Sequence, residues 1–289
     1  MISAVIVSYR TGPLLWECLA SVLAADEVGE VILVDNGNPD DTLSRLRAMS
    51  AASAKLRLIT GQGNIGFARA CNLGARKARG DHLLFLNPDA VLPAGGAGRL
   101  RDAGESSGAR FWAAGPRLEN PDGSEQRGSR RAILTPWNAF VDVVRLDRLA
   151  PNHPYFKRFN AHDRPLADGV STVPCLSGAA FLMPRATWDA LAGFDERFFL
   201  HVEDIDLFLR LGKAGGSALF VPDVRVVHHK SSSEVDPLMV ERRKRQSLNL
   251  YFSTHFKGVY PWGFLALMRA LLWAGFAVRF VKIRLRRRA

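Results

Sequence analysis

The first ninety residues alternate short apolar runs with amphipathic segments, and this alternation limits the possible folds more than any other feature of the chain. The apolar runs predict strands at 3–8, 31–34, 56–60 and 82–86, and the segments between them predict helices at 14–25, 41–49 and 67–78. Strands that alternate with helices of this length form a parallel sheet with helices on both faces. We therefore predict an α/β fold with a Rossmann-like, mostly parallel sheet.

Polar residues follow three of the predicted strands. They are Ser8-Tyr9, Asp35-Asn36 and Asn87-Pro88-Asp89. Any one of these groups could simply mark a turn, but all three fall on the edge where parallel sheets bind ligands. Asp89 can present hard oxygen to Mg²⁺ or Mn²⁺, and such a cation neutralises the two phosphates of a nucleoside diphosphate. This edge is therefore predicted to be a nucleotide site.

Two further features of this half suit a nucleotide. Asp35 stands where a base or ribose would accept or donate hydrogen bonds. The stretch from Asn64 through Gly66 opens a helix, and helix N-termini accept phosphate readily. A glycine before a helix is common, so this stretch alone is a weak signal.

The remainder of the chain divides into an irregular region and a regular one. Residues 93–174 are rich in Gly, Arg and Pro and show little periodicity, and 128–131 is predicted to be a loop. Regular patterns return with a strand at 175–183, helices at 185–191 and 203–214, and short strands at 218–221 and 224–227. We assign 1–92 to a nucleotide-binding half, 93–235 to an acceptor and catalytic half, and 236–289 to a C-terminal tail.

An acidic cluster opens the predicted helix at 203–214. Three acids in a first turn complement the helix dipole, and Asp206 with Arg210 would form an ordinary surface ion pair. The alternative is catalytic, because a carboxylate must take the proton from an attacking hydroxyl group. Asp204 is our candidate base, with Glu203, Asp206 and Arg210 as supporting residues.

Two consecutive histidines, His228 and His229, follow the last short strand. A His-His pair in a loop is more often structural than metal-binding. Imidazole also binds Mn²⁺, however, so either ring could be a ligand if this loop folds back towards Asp89.

Taken in order, these clusters resemble the inverting family 2 glycosyltransferases of GT-A fold, and most closely their bacterial rhamnosyltransferase-like branch. The resemblance covers about residues 1–235. The matching segments are Val-Ile-Val-Ser-Tyr9, Val-Asp35-Asn36, Asn64-x-Gly66-Phe67-Ala68, Asn72-x-Gly74, Leu-Asn87-Pro-Asp89, Gly178-Ala179, Gly193-Phe-Asp195-Glu196, Glu203-Asp204-x-Asp206-Leu and His228-x-x-Ser231-x-Ser233.

The resemblance implies a role for each candidate residue. Asp89 would ligate Mg²⁺ or Mn²⁺ with His228 as a further ligand, and Asp204 would be the base of an inverting displacement. The residues implied to contact the donor are Ser8, Tyr9, Asp35, Asn64, Gly66, Asn87, Asp89 and Gly178. The chain has Asn87 where many relatives carry Asp, which gives the cation less charge. It has Ser231 where Gly is usual, which leaves the choice between His228 and His229 open.

The excess positive charge of this chain sits in its tail. The chain has 39 basic and 28 acidic residues, and 12 of the basic residues but only one acid, Glu241, lie beyond residue 239. A neutral body argues against a nucleic-acid binder. The apolar stretch 262–278 is short for a comfortable span and contains Arg269, while Arg279, Lys282 and Arg286 share one helical face.

These features favour a helix that lies in the interface of an anionic membrane, although a core helix with a solvated basic end is the alternative. Three scattered cysteines fit a reducing compartment, and the N-terminus shows no signal peptide. We therefore expect peripheral or monotopic attachment to the cytoplasmic face of the inner membrane.

The resemblance implies the transfer of a sugar, with dTDP-rhamnose as the expected donor, to a polyprenyl-linked saccharide in cell-surface polysaccharide synthesis. One rival is a sugar-nucleotide nucleotidyltransferase, but that class needs a Gly-rich phosphate loop after strand one, where this chain has only Gly12. The other rival is a non-catalytic, membrane-bound adaptor with a nucleotide-binding fold.

Overall fold

The computed structural model describes residues 1–150, 153–156, 159–162, 165–166, 168–230 and 235–286. The elements in chain order are β1 (Ile2–Ser8), α1 (Leu14–Leu23), β2 (Val28–Asp35), α2 (Asp40–Ala52), β3 (Leu56–Ile59), α3 (Phe67–Lys77), β4 (His82–Leu86), β5 (Ala90–Val91), α4 (Gly96–Glu105), β6 (Trp112–Glu119), β7 (Arg130–Arg131), α5 (Pro136–Val144), α6 (Leu146–Leu149), a 3₁₀ turn (Pro154–Phe156), β8 (Ser171–Val173), β9 (Cys175–Leu176), β10 (Ala180–Pro184), α7 (Arg185–Ala190), α8 (Glu203–Lys213), β11 (Ser217–His228), α9 (Pro237–His255) and α10 (Trp262–Arg286).

A nine-stranded sheet forms the centre of the molecule, in the order β3-β2-β1-β4-β10-β6-β11-β5, with β8 also paired to β11. β1 is parallel to β2 and β4, β2 to β3, and β6 to β11, whereas β10 runs antiparallel to both of its neighbours. The mostly parallel sheet predicted from the sequence is confirmed. Strands from both 1–92 and 93–235 join this one sheet.

Helices cover both faces of the sheet, as predicted. Along β1, Val5 and Val7 face one apolar core while Ala4 and Ile6 face the other, because successive strand side chains point to opposite faces. Helices α3, α8 and α9 pack into the first core, and α1, α2 and α4 pack into the second. The candidate site lies at the sheet edge where β1 and β2 end.

Four predictions about the second half were wrong. Residues 128–131 are not all loop, since Arg130 and Arg131 form β7. Residues 93–174 are not irregular throughout, since α4 and the central strand β6 lie within them. β6 escaped detection because its small residues and internal Gly115 disfavour a strand. A Cβ on Gly115 would stand 2.9 Å from the side chain of Leu176, so close packing accounts for that glycine.

The two other errors concern strand continuity. The strand predicted at 175–183 is split, with β9 paired to β7 in a separate ribbon and β10 in the main sheet. The short strands predicted at 218–221 and 224–227 form one strand, β11, whose register shifts between Val221 and Arg225. Periodicity detects apolar runs but not the turn or irregularity that decides whether two runs are one strand.

The tail forms two helices, α9 and α10, that pack on each other. The apolar part of α10 is longer than predicted: Trp262–Val281 has 20 residues with a mean hydropathy of 1.7 and is only 11% buried. By length and composition this segment could cross a membrane. Among the residues the sequence placed on its basic face, the side chains of Lys282 and Arg286 lie outside the described part of the chain.

Candidate active site

The carboxyl ends of β1 and β2 meet at the expected edge of the sheet. Ser8 and Asp35 are opposite each other in the parallel register. Asn38 joins them, because its Oδ1 accepts a hydrogen bond from Ser8 Oγ at 3.1 Å and its Nδ2 donates to Asp35 Oδ1 at 2.8 Å. Tyr9 follows directly, and its ring lies 3.3 Å from where a Cβ on Gly37 would stand. Asn38 was missed by the sequence analysis, because an Asn in a turn gives no functional signal.

Both carboxylate oxygens of Asp35 are bound by the chain itself. Oδ1 accepts hydrogen bonds from the backbone N–H groups of Gly37 and Asn38, and Oδ2 accepts one from Thr60 Oγ1 at 2.8 Å. The Asp35 side chain therefore holds the loop after β2 against the loop after β3.

The loop before α3 is fixed in a similar way. Asn64 Oδ1 accepts from Asn36 Nδ2 at 3.0 Å. Gly66 has a φ of +86°, and a Cβ there would stand 2.7 Å from the Phe199 carbonyl oxygen. The first helical N–H, on Phe67, donates to that same oxygen at 2.8 Å. The start of α3 thus packs on the segment that leads into α8. The N–H of Phe67 is bound by the protein itself rather than directed at the carboxyl ends of the strands.

Asn87, Asp89 and His228 come together at the ends of β4 and β11. His228 Nε2 lies 3.2 Å from Asp89 Oδ1 and 3.2 Å from Asn87 Nδ2. The antiparallel pairing of β11 with β5 places His228 opposite Ala90, next to Asp89, and buries the imidazole. Of the two histidines, His228 is therefore the one whose ring faces Asp89, while His229 meets Asp89 through its backbone N–H. Ser231 and Ser233, named with them in the sequence, lie outside the described residues.

Gln126 determines which nitrogen of His228 faces Asp89. Its Nε2 donates to the His228 carbonyl oxygen at 2.9 Å and to Asn120 Oδ1 at 3.1 Å. The amide oxygen of Gln126 is then directed at His228 Nδ1, 2.7 Å away, so Nδ1 carries the proton. Nε2 is therefore the ring nitrogen that lies towards Asp89 and Asn87.

These donors suit a divalent cation. One carboxylate oxygen and one imidazole nitrogen, with the far ring nitrogen hydrogen-bonded, are a donor set that Mn²⁺ accepts. In the described ranges, no group of three or more His, Cys, Asp or Glu side chains could hold a metal. A cation here would therefore take its other ligands from a bound diphosphate and water, as Mg²⁺ commonly does.

Asp204 is held by a residue that the sequence analysis assigned to a loop. Arg131, in β7, donates from Nη2 to Asp204 Oδ2 at 2.6 Å and also contacts the Leu176 carbonyl oxygen. Gly178 N donates to the same carboxylate oxygen at 2.8 Å, and Ile205 N donates to Oδ1 at 2.8 Å. Burial alone would raise the pKa of Asp204, but the Arg131 charge and these hydrogen bonds hold the pKa below its ordinary value.

Because Gly178 has no side chain, the Asp204 carboxylate can lie directly against its backbone. A Cβ at Gly178 would stand 2.8 Å from the Asp204 Cβ and 3.0 Å from its Oδ2. His201 and Val202, directly before α8, have φ values of +67° and +75°, which are costly for residues with side chains. Strain of this kind persists only where surrounding contacts enforce it, and here it lies beside a candidate catalytic residue.

Glu203 is a buried acid whose Oε2 has no hydrogen-bond partner among the described residues. Burial, together with the neighbouring Asp204 carboxylate, raises the pKa of Glu203 to about 8. At neutral pH the site therefore contains a protonated Glu203 next to an ionised Asp204.

The i,i+4 spacing of Asp206 and Arg210 predicted an ordinary surface ion pair, but the structure buries Asp206. The Asp206 side chain is 1% exposed and binds Arg210 Nε at 2.7 Å and His255 Nε2 at 2.6 Å. Arg210 also donates to the carbonyl oxygens of Leu191 and Gly193. These contacts join α8 to α9 and to the loop that precedes α8. None of them involves Asp204.

The backbone joins the two clusters. Asn87 N donates to the Ala179 carbonyl oxygen at 2.7 Å, and Ala179 follows Gly178, which holds Asp204. A cation-compatible pair and a partly buried, ionised carboxylate thus lie on adjoining segments of one sheet edge. Such an arrangement can stabilise a diphosphate leaving group and accept a proton from a hydroxyl group.

Comparison with known proteins identifies the family of this chain. The profile of Glycosyl transferase family 2 matches residues 3–168, and that of Glycosyl transferase family group 2 matches residues 127–287. The N-acetylglucosaminyl-diphospho-decaprenol L-rhamnosyltransferase of Mycobacterium tuberculosis is 33% identical over 81% of this chain and 77% of its own length. The rhamnosyltransferase WbbL of Escherichia coli is 25% identical over 79% of this chain and 83% of its own length.

Solved structures show the same fold. GalNAc-T7, crystallised with UDP, GalNAc and Mn²⁺, superposes with a TM-score of 0.61 at 17% identity over 94% of this chain and 53% of its own. The mannosyltransferase PcManGT of Pyrobaculum calidifontis, in complex with GDP-Man and Mn²⁺, gives 0.56 at 20% identity over 94% of this chain and 69% of its own. The family profiles, the mycobacterial relative and the shared fold lead to one conclusion: this chain is a glycosyltransferase of family 2, with a GT-A fold and a rhamnosyltransferase-like sequence.

Proposed function

We propose that this enzyme transfers a sugar from a nucleoside-diphosphate donor, with dTDP-rhamnose as the expected substrate, to a polyprenyl-diphosphate-linked saccharide, with inversion at the anomeric carbon. The observation that carries the proposal is the Asp204 carboxylate, kept ionised by Arg131 beside the Asn87–Asp89 turn. The mycobacterial relative, named for a decaprenyl-diphosphate-linked N-acetylglucosamine acceptor and a rhamnose transfer, supports the choice of substrates.

The donor would lie across the carboxyl ends of the strands. We assign the nucleoside to Ser8, Tyr9 and the loop that Asp35 holds, and the diphosphate to Asn87 and Asp89. Asn64, Gly66 and Gly178 would border the donor by shaping the loops around it. A divalent cation, Mg²⁺ or Mn²⁺, would be held by Asp89 and His228, and when bound it would neutralise the charge of the departing diphosphate.

Asp204 would take the proton from the acceptor hydroxyl group as that oxygen attacks the anomeric carbon. Among the described residues, Oδ1 of Asp204 accepts a hydrogen bond only from Ile205 N, which leaves room for a substrate hydroxyl group on this oxygen. Arg131 and Gly178 bind the other oxygen and so orient the carboxylate. Glu203 and the buried Asp206–Arg210 pair would support this geometry without touching the substrate.

The decisive experiment is transfer from radiolabelled dTDP-rhamnose to a polyprenyl-diphospho-N-acetylglucosamine, with and without Mn²⁺, by the wild type and by Asp204→Asn. We expect Asp204→Asn to abolish transfer while nucleotide affinity stays within a few-fold, and Asp89→Ala to remove the cation dependence of donor binding. Retained turnover in Asp204→Asn would refute the assignment of the base. A non-catalytic adaptor would give no transfer in the wild type.

Membrane association, at the cytoplasmic face, is part of the proposal. The lipid-linked acceptor implied by the relative and the exposed apolar helix α10 support it. Deleting the residues after Gly258 should move the protein from membranes to the soluble fraction. We further propose that 1–235 is the catalytic domain and 236–289 its membrane-associating extension.

A further inference from the structure

The hairpin formed by α9 and α10 is fastened to the catalytic domain. His255, at the end of α9, lies 2.6 Å from Asp206 of α8. Ser247 Oγ donates to the Leu200 carbonyl oxygen at 3.0 Å, and the Arg243 guanidinium lies 4.2 Å from the centre of the Phe199 ring. Helix α9 is therefore part of the folded body that contains Asp204.

Helix α10 runs antiparallel along α9 for several turns. Arg279 pairs with Glu241, and Arg245 Nη2 lies 3.8 Å from where a Cβ on Gly275 would stand. Met268 and Leu272 are buried at 1% and 4% exposure. If α10 crossed a bilayer in this arrangement, the basic run 242–245 of α9 would be drawn into hydrocarbon beside it, which is unfavourable for each charge. The hairpin therefore favours an α10 that lies in the plane of the membrane.

Helix α5 lies beside α10 and continues its exposed apolar face. Phe264 of α10 contacts the rings of Trp137 and Phe140 in α5, with centroid distances of 6.3 and 5.8 Å. Val144 follows Phe140 by one helical turn and shares that face, yet it is 39% exposed and its neighbour Val143 is 47% exposed.

We use the term apolar surface for the large exposed apolar side chains of α5, of α6, of the turn before α10 and of α10 as far as Trp273. They are Val143, Val144, Leu149, Val259, Trp262, Leu267 and Trp273.

The charges around the apolar surface select an anionic partner. Arg145, Arg148, Lys257 and Arg269 are exposed. The acids of α5 and α6 are half-buried, and Glu241 is bound by Arg245 and Arg279. Exposed apolar side chains with cations at their margin match the headgroup region of an anionic bilayer, which attracts basic residues.

We propose that the outer faces of α5, α6 and α10 form a single surface that docks flat on an anionic membrane. This inference rests on the proposed function, because it assumes a membrane-borne acceptor. Helix α5 begins at Pro136, shortly after Arg131, the partner of Asp204. Docking through α5 therefore holds the Arg131–Asp204 pair near the headgroups, where a lipid-linked diphosphate is presented.

Site-directed fluorescence on the full chain tests the surface. Cys18, Cys71 and Cys175 are buried, so an NBD label reports on introduced cysteines. We would label Val144→Cys in α5, Trp273→Cys in α10 and, as a control, the exposed Ser106→Cys at the end of α4, which packs on the opposite face of the sheet.

Vesicles containing phosphatidylglycerol should shift NBD emission to the blue at 144 and 273 but not at 106. The protein should bind these vesicles roughly tenfold more tightly than phosphatidylcholine vesicles. A shift at 273 without one at 144 would overturn the composite surface.

Orientation is tested on the same vesicles with labels at Trp262→Cys and Val281→Cys. For a helix lying in the plane, dithionite added outside should reduce both labels, whereas protection of either label would show a span and overturn the proposal. Failure to bind any vesicle would refute both the surface and the proposed membrane association. Transfer to a short-chain, water-soluble acceptor, measured in parallel, would then show whether the glycosyltransferase assignment still holds.

Discussion

Gln126 and His228 are joined by two hydrogen bonds, one from the ring and one to the backbone. His228 Nδ1 donates to Gln126 Oε1 at 2.7 Å, and Gln126 Nε2 donates to the His228 carbonyl oxygen at 2.9 Å. Gln126 is 2% exposed, so the pair is shielded from water. This relationship fixes both the position of the imidazole and the nitrogen that it presents to Asp89.

We therefore expect Gln126→Met to weaken Mn²⁺ binding about tenfold, because partners of metal-ligating histidines commonly contribute this much. Titration of free Mn²⁺ by electron paramagnetic resonance, in the presence of nucleoside diphosphate, measures the affinity directly. Nitrogen NMR of His228 should also show a loss of the single Nδ1–H tautomer. Gln246→Met, at an exposed position in α9, is the matched control. Unchanged affinity and tautomer in Gln126→Met would contradict the positioning role.

Arg131→Met should raise the pKa of Asp204, because it removes the guanidinium that stabilises the ionised form of this partly buried carboxyl group. A base must be deprotonated to act, so the acid limb of the pH–rate profile should move to higher pH, and kcat should fall on the order of 10²-fold. Arg130→Met removes a neighbouring, equally buried guanidinium that pairs with Glu125, and controls for the cost of losing a buried charge. If both variants shift the profile equally, the Arg131–Asp204 pair is not its cause.

Gly178→Ala should displace Asp204, since the added methyl group would lie 3.0 Å from its Oδ2. Misplacement of a catalytic group by about 1 Å can cost roughly 10²-fold in rate, so we expect kcat to fall while nucleotide affinity is retained. Gly212→Ala in α8, where a methyl group meets no atom within 4 Å, should be neutral. The opposite pattern, weaker nucleotide binding with an unchanged kcat, would assign Gly178 to donor contact instead.

Glu203→Gln should stabilise the protein at alkaline pH. The pKa of Glu203 rises from 4.5 to about 8 in the folded protein, so between these values the unfolded chain releases a proton that the folded chain retains. Stability supplied by this group is then lost as pH rises through that window. The advantage of Glu203→Gln should grow from near zero at roughly pH 4 to on the order of a few kcal/mol above roughly pH 8.

Urea denaturation across this pH range measures the difference in the free energy of unfolding between wild type and variant. The exposed Glu17→Gln in α1, which removes a carboxylate from solvent, should leave the pH dependence unchanged. A pH-independent difference for Glu203→Gln would mean that Glu203 ionises normally in the folded state.

The sequence alone determined the parallel first half of the sheet and the edge on which Ser8, Asp35 and Asp89 lie. These follow from local patterns, because strand and helix periodicity are set by neighbouring residues and the carboxyl ends of parallel strands must share an edge. The sequence also identified Asp204 and the histidine pair as candidates, because an acidic cluster at a helix start and two consecutive histidines after a strand are uncommon patterns.

Only the tertiary structure decided which residues lie against the candidate site residues. Arg131 meets Asp204 across 73 positions of sequence, and Gln126 meets His228 across 102. Neither residue carries a local signal, because an arginine or glutamine in an aperiodic region is equally suited to solvent. That the ring of His228, and not that of His229, faces Asp89 likewise depends on the pairing of β11 with β5. The burial of Asp206 depends on the docking of α9. Long-range contacts of this kind depend on how elements pack, which no short window of sequence records.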